Sequence, residues 1–333
     1  RLTKAAFNFQ TATKDPGGYA HGGKYIIQLM YDSIEDLNTK LTTKVNLAKA
    51  HRIDAGHFAG SEEAFRHWDE EEGVVPGACV RCHTGNGLPM FVKEGATVSL
   101  PASNGLLCET CHTDLTKPAT SLVQLNAVPF PSGATLGFGE NNPANLCLEC
   151  HQGRESTVSV NRVIGTSDVD TVNEKLSFRN VHYFAAGATL FGTEAKGMYE
   201  YKGQTYAGKF NHPAPADTCI GCHDSHALEV DEASCKTCHA NAATPADIRM
   251  STAGDFDGDG NATEGLQGEI DTMAEKLLVA IQAYAKDKAG SPIGYSPTTY
   301  PYFIIDTSGN GKLEATETDK YATWTPRLLE AAY

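Results

Sequence analysis

The sequence predicts a loop-rich chain, mostly irregular with scattered α-helices and little β-structure, and three observations carry that expectation. Of 333 residues only 41% are hydrophobic while 32 are Gly, a poor supply for the core of a chain of two-domain length. All ten cysteines fall in Cys-x-x-Cys-His units, so much of the chain is committed to short attachment segments. Apolar stripes of helical period are confined to a few stretches, and between them regular structure should be sparse.

In chain order, residues 24–50 carry an amphipathic helix, with Ile27, Met30, Ile34, Leu37 and Leu41 at spacings of three and four. That stripe reads as a packing face. Ser61 followed by Glu62 and Glu63 reads as a helix start, giving a helix over Ser61–Trp68. The acidic run Asp69–Glu72 reads as a solvated face. Met198–Tyr206 alternates about Lys202-Gly203, the pattern of the one small β-hairpin expected. Leu266, Ile270, Met273, Leu277, Ile281 and Tyr284 form a second helical stripe. Three regions result: an N-terminal helical segment over 1–50, a cysteine-bearing domain over 51–243, and a helical module over 244–333.

The cysteine units are Cys79 and Cys82 with His83, Cys108 and Cys111 with His112, Cys147 and Cys150 with His151, Cys219 and Cys222 with His223, and Cys235 and Cys238 with His239. This is the attachment signature of c-type haem: two thiols bond the vinyl groups of one porphyrin, and the next residue sets its imidazole on the iron as proximal ligand. Zinc ribbons and disulfide frameworks also use paired cysteines, but neither requires a His after every pair. Five haem c groups are therefore expected. Their apolar planes would supply much of the missing core, and the chain without them should fold poorly. Because this attachment is carried out outside the cytoplasm, the expected location is extracellular or cell surface, with the periplasm second.

Seven histidines remain beyond the motifs: His21, His51, His57, His67, His182, His212 and His226. Exposed irons need sixth ligands, which makes these the distal candidates. His57, His67, His182, His212 and His226 rank first, then His21, with His51 last. His226 follows His223 by three residues, so its ring leaves the same turn toward a neighbouring haem. His212 precedes Pro213 in an extended approach to the fourth motif.

After residue 244 the chemistry changes. Asp306, Ser308, Asn310, Lys312, Glu314 and Glu317 occupy the ligand positions of a twelve-residue EF-hand loop with Gly311 at the sharp turn, a pattern that suits calcium. Asp255, Asp257, Asp259 and Asn261 begin a second copy, but its twelfth position is Leu266, so Glu264 or Glu269 would have to close it. The helical stripe between the two loops suggests a paired EF-hand-like module. Residues 1–7, beginning at Arg1 with no initiator Met, resemble residues 327–333, which suggests one unit of a longer repeated polypeptide or a mature product.

The motifs, together with Asp54-Ala-Gly-His57-Phe58, Phe65-Arg-His67-Trp68-Asp69, Asn180-Val-His182-Tyr-Phe184, Cys222-His223-Asp-Ser-His226 and Asp255-Phe-Asp-Gly-Asp-Gly260, resemble the multihaem c-type cytochromes of respiratory bacteria and archaea. More narrowly, the chain resembles large polyhaem cytochromes that end in a calcium-loop module. The resemblance implies long-range electron transfer, with redox proteins or an extracellular acceptor as partners. In some relatives it extends to filaments in which a His of one subunit ligates a haem of the next, a role His21 would suit.

Two functions remain open: an electron conduit of bis-His haems, or a reductase or oxidoreductase of a small nitrogen compound with one five-coordinate haem. Pentahaem nitrite reductases carry Lys in place of one motif His, whereas all five motifs here end in His, which favours a carrier over an enzyme. A formal charge of −14 without clusters of Lys and Arg argues against nucleic acid and toward basic or cationic partners. The most apolar stretch, Leu277–Tyr284, is far shorter than the roughly 20 residues of a membrane span.

Overall fold

The computed structural model describes residues 1–48, 50, 52, 62–68, 73–249 and 254–333. Among them the chain is helical and loop-rich, its only ladders three two-stranded antiparallel sheets, and it divides into two compact units.

The first unit comprises Arg1–Val123 with His226–Leu228. Helices α1 (Leu2–Lys14) and α2 (Gly18–Asn38) pack against each other, joined by Asn8 Nδ2 donating to Ser33 Oγ at 3.0 Å and an Arg1–Asp36 ion pair at 3.2 Å. A kink at Gly22 breaks α2, so the expected helix over 24–50 is met by the stretch after the kink and ends early, at Asn38. There the Asn38 side chain both donates to and accepts from the backbone of Val45, diverting the chain into a loop. Next come α3 (Glu62–Arg66), β1 (Val74–Val75), α4 (Val80–His83), α5 (Gly87–Glu94), β2 (Leu100–Pro101) and α6 (Cys108–Cys111). Trp68, Val75 and Val80 form a small core, with β1 and β2 paired beside it. Buried Thr110 ties two motifs together: its Oγ1 accepts from Leu107 N at 2.9 Å and donates to Gly85 O at 2.6 Å.

The second unit comprises Gln124–Ser225 and Glu229–Tyr333. Hairpin β3 (Val128–Pro129) and β4 (Thr135–Leu136) lies under α7 (Asn145–His151). Asn145, fully buried, holds it there: Nδ2 donates to the carbonyls of Leu125, Asn126 and Gly139 at 2.7–3.1 Å, and Oδ1 accepts from Phe138 N. Every polar atom of this amide is used, which is what makes its burial tolerable. Then follow α8 (Thr157–Ile164), opened by a capping box of Ser156 and Ser159, α9 (Ala186–Phe191), α10 (Glu232–Cys235), α11 (Leu266–Tyr284), β5 (Ile293–Tyr295), β6 (Phe303–Ile305) and α12 (Pro326–Ala332). The main core gathers Val160, Leu176, Ile281, Ile293, Phe303, Tyr321, Trp324, Leu328 and Leu329, each contributing on the order of 1.5–3 kcal/mol by burial.

Two expectations need correction. No hairpin forms at 198–206; Lys202-Gly203 makes a turn, but Thr157 Oγ1 donates to Met198 O and accepts from Glu200 N at 2.9 Å, pinning that strand-like segment to α8. The α11 stripe also divides: Ile281 and Tyr284 join the core, while Leu266, Ile270, Met273 and Leu277 are 45–53% exposed.

Candidate functional site

All ten cysteines are described, and none is in a disulfide; Cys108 and Cys238 are exposed and the others half-buried. Each pair lies on one turn of helix or 3₁₀-helix, or beside one, with the motif His next to it. In the first motif Cys79 caps α4 and Cys82 lies within it, half-buried, its N donating to Cys79 O at 3.2 Å. In the third motif Cys147 and Cys150 both lie on α7, and Cys150 is half-buried beside His151, the last residue of that helix. Cys82 and Cys150 thus stand where a second thioether would need them, one helical turn from their motif partners, as thiols outside any disulfide. In the fourth motif this turn requires Gly221, because a Cβ there would lie 2.0 Å from Pro215 O. Three motifs approach one another within the second unit. Cys147 and Cys219 share a hydrogen bond that holds the Cys219 thiol below its ordinary value. Burial, then the neighbouring Cys235 and Cys219, push Cys222 up, as burial and Cys108 do for Cys111 in the first unit.

Two of the motif imidazoles are oriented by main-chain carbonyls. His83 Nδ1 donates to Ala64 O at 2.5 Å and His151 Nδ1 to Phe184 O at 2.6 Å. Such bonds fix the tautomer and leave Nε2 as the ligand atom. Trp68 stands edge-on against His83 with ring centres 5.3 Å apart, and His67 against Trp68 at 5.1 Å.

Two non-motif histidines meet motif histidines. His226 and His112 have ring centres 6.3 Å apart with planes 9° from parallel, and His212 and His239 lie 6.2 Å apart at 50°. An iron held by two imidazoles at about 2 Å each, with every ring centre about 1 Å behind its nitrogen, separates the centres by roughly 6 Å. The spacing fits a metal between each pair. His226 stands at the tip of a loop closed by Asp224 N donating to Glu229 O at 2.9 Å. His212 faces the fifth motif, not the fourth that its sequence position suggests.

Of the remaining candidates, His182 sits in a left-handed backbone conformation (φ 80°) beside the third motif, where Arg154 N donates to Val181 O. His21 is 71% exposed, its Nδ1 held 3.0 Å from the Asp15 carboxylate. His51 and His57 lie outside the described residues, as do Ser61 and Asp69–Glu72.

The two acidic loops share one construction. Asp306 accepts from Gly309 N and Gly311 N at 2.7 Å, and Asp255 accepts from Gly258 N and Gly260 N at 2.6 and 2.9 Å. Gly311 and Gly260 take positive φ (80° and 95°), where a side chain would be strained. Carboxylate oxygens of Asp306, Glu314 and Glu317 lie within 4.8 Å of one another, with Ser308 and Asn310 bonded to Glu314 and Lys312 N donating to Asn310. Thr307 Oγ1, then Glu314 N, hold Glu317 down at about 2. Asp255, Asp257 and Asp259 form one equivalent cluster, and Asp257, Glu264 and Glu269 another. Asn261 lies at the exposed end, its Oδ1 accepting from Thr263. Burial, then the charges of Asp259, Asp257 and Glu269, push Glu264 up. Among the described residues neither loop is flanked by α-helices on both sides: β6 leads into the second, and the first runs into α11. The paired helix–loop–helix expectation is corrected to that extent.

The C-type polyheme cytochrome OmcC of Geobacter sulfurreducens is 27% identical to the chain over 365 aligned residues, covering 91% of the chain and 43% of OmcC. C-type polyheme cytochrome OmcB, in two strains of the same species, is 28% identical over 305 residues, covering 74% and 36%. The chain is similar to the polyhaem c-type cytochromes. That likeness supports covalently bound haem c and electron transfer. The chain spans less than half the length of these polyhaem relatives. No family model matches it, and no solved structure matches it. Among the described residues no helix is long and apolar enough to cross a membrane.

Sequence reasoning did not find the carbonyls of Ala64 and Phe184 or the guanidinium of Arg249, which donates to Glu269. A backbone acceptor has no residue signature, and a lone Arg has no motif.

Proposed function

We propose that the chain is an extracytoplasmic electron conduit carrying five haem c groups at its Cys-x-x-Cys-His motifs. Bound haem supplies the one-electron iron couple. Cys79 with Cys82, Cys108 with Cys111, Cys147 with Cys150, Cys219 with Cys222, and Cys235 with Cys238 hold the five groups, and His83, His112, His151, His223 and His239 are their proximal ligands. The observation that carries the reading is the pairing of His226 with His112 and of His212 with His239 at ring-centre spacings of 6.3 and 6.2 Å. Two imidazoles on one iron leave no open coordination position for substrate, which favours carriage over catalysis.

His67 and His182, beside the first and third motifs, serve as distal ligands of further irons, as does His57. His223 and His226 stand three residues apart and serve different irons, so one short segment couples two cofactors. The Cys147–Cys219 hydrogen bond and the closeness of Cys235 to Cys222 favour a continuous order of third, fourth and fifth groups. The loop from Asp306 to Glu317 holds a calcium ion that stiffens the C-terminal module. The acidic surface selects basic redox proteins or cationic acceptors. His21, oriented by Asp15 and open to solvent, is the residue through which one copy reaches a haem of the next in a filament.

Low-temperature electron paramagnetic resonance of the oxidised protein tests the reading. Low-spin signals alone support the conduit. A stoichiometric high-spin signal overturns it in favour of a reductase with one five-coordinate haem. Electron micrographs of native material separate filament from soluble carrier.

A further inference from the structure

The first acidic loop departs from the regular pattern at its twelfth position, where Leu266 is 45% exposed. Three residues later, one turn into α11, Glu269 returns to the loop and is 2% exposed. Its Oε2 accepts from Phe256 N at 2.8 Å and Asp257 N at 2.9 Å. In the regular loop, Glu317 Oε1 accepts from Thr307 Oγ1 at 2.7 Å and Ser308 N at 2.9 Å. Glu269 therefore stands toward the second and third residues of its loop as Glu317 stands toward those of the other, from a different place in the sequence.

The site is short of positive charge. Asp255, Asp257, Asp259, Glu264 and Glu269 contribute carboxylates, opposed by Arg249, which donates to Glu269 Oε1, and by Lys276, which donates to the Asp257 carbonyl. Asp257 is 7% exposed, and its Oδ2 is buried without a hydrogen-bond partner; Glu264 Oε1 is equally orphaned. A buried carboxylate oxygen with no donor is costly unless a cation meets it. An all-oxygen set of this kind suits calcium.

The loop is also tied to the fifth motif. Thr244, Pro245 and Ile248 line a crevice with Cys235 and His239. Ile248 O accepts from Leu266 N at 3.1 Å, at the start of α11. Arg249 Nη1 donates to Glu264 O at 3.0 Å as well as to Glu269, and Nη2 to Gly254 O. The crevice wall and the clamp on the loop are thus consecutive residues.

We propose that Glu269 is the closing ligand of a calcium ion in the first loop, shared with Asp255, Asp257, Asp259 and Glu264, and that this ion, through Arg249 and Ile248, sets the reduction potential of the haem at Cys235, Cys238 and His239. The second half rests on the haem reading; the first does not. A cation fixed close to an iron centre favours its reduced, less positive form, so removing calcium lowers that one potential.

The test uses holoprotein stripped with a chelator, with haem counted first by pyridine haemochrome, so that failure of the haem reading is seen separately. Calorimetric titration with calcium should give two ions per chain for the parent and one for Glu269→Gln, with Glu264→Gln retaining two sites at weakened affinity. A parent that binds one ion, or a Glu269→Gln that still binds two, overturns the site. Should Glu269→Gln fail to fold, unchanged affinity in Glu264→Gln overturns the assignment by itself. In a spectroelectrochemical titration, one of the haem midpoints should fall on calcium removal, and it should be the one displaced by His212→Met. No shift, or a shift in another haem, overturns the coupling.

Discussion

No described residue from Met198 to Phe256 is buried, whereas Ile281–Tyr333 holds Ile281, Ile293, Phe303, Tyr321, Trp324, Leu328 and Leu329 in one core. Apart from His226–Leu228, both stretches belong to the second compact unit. The first carries the fourth and fifth attachment motifs, on a 3₁₀ turn and the four-residue α10. The second carries none and packs its aromatic rings on one another, with Trp324 5.6 Å from Phe303 and 5.0 Å from Tyr321. The stretch with the fourth and fifth motifs thus supplies no buried residue of its own among those described, whereas the stretch without a motif supplies a dense interior.

The comparison breaks most visibly if haem attachment is prevented. Replacing all ten cysteines by Ser should leave 198–249 open to protease and without hydrogen-exchange protection, while the core around Trp324 stays protected. Equal loss in both stretches, read by exchange mass spectrometry, would show that the C-terminal core also depends on the cofactors.

Trp324→Ala tests the other side and should cost about 3–5 kcal/mol in denaturant unfolding of the C-terminal core. Haem content should not change. A fall in haem per chain would mean that attachment needs that core first.

A smaller and more local effect is expected at the axial positions. His226→Ala should convert one low-spin iron to high-spin and His212→Ala a different one, each leaving the remaining spectrum intact. If both variants perturb the same iron, the two ring pairs do not mark separate sites.

The smallest effect is one of pH. Glu317 is held at about 2 against an ordinary 4.5. A depressed folded value means that its stabilising contribution is complete above about 4.5 and is lost as pH falls toward 2. Acid titration of the calcium-free chain, followed by Trp fluorescence, should therefore loosen the second loop only in that window, and Glu317→Gln should abolish the dependence.

The loop-rich architecture was legible because attachment motifs, glycines and the scarcity of apolar stripes are local features. So was the spacing of the ten cysteines and five motif histidines, and of the acidic loop whose Asp306, Glu314 and Glu317 carboxylates the fold brings together. The helix at 24–50 was read too long because one residue, Asn38, ends it through its contact with Val45. The hairpin at 198–206 failed because Thr157, distant in sequence, takes the backbone groups that a ladder would use. The α11 stripe looked uniform because periodicity gives a face, not what covers it.

By itself, then, the sequence determined which cysteines and histidines share the Cys-x-x-Cys-His spacing and where the acidic loops begin, since spacing along a short segment is a local property. Only the tertiary structure decided that His226 meets His112, that His212 meets His239, and that Glu269 bonds both Arg249 and the backbone of Asp257. Those partners lie far apart along the chain, or out of register with the motif they complete. Their meeting depends on the long-range path of the backbone, which residue type and local period do not encode.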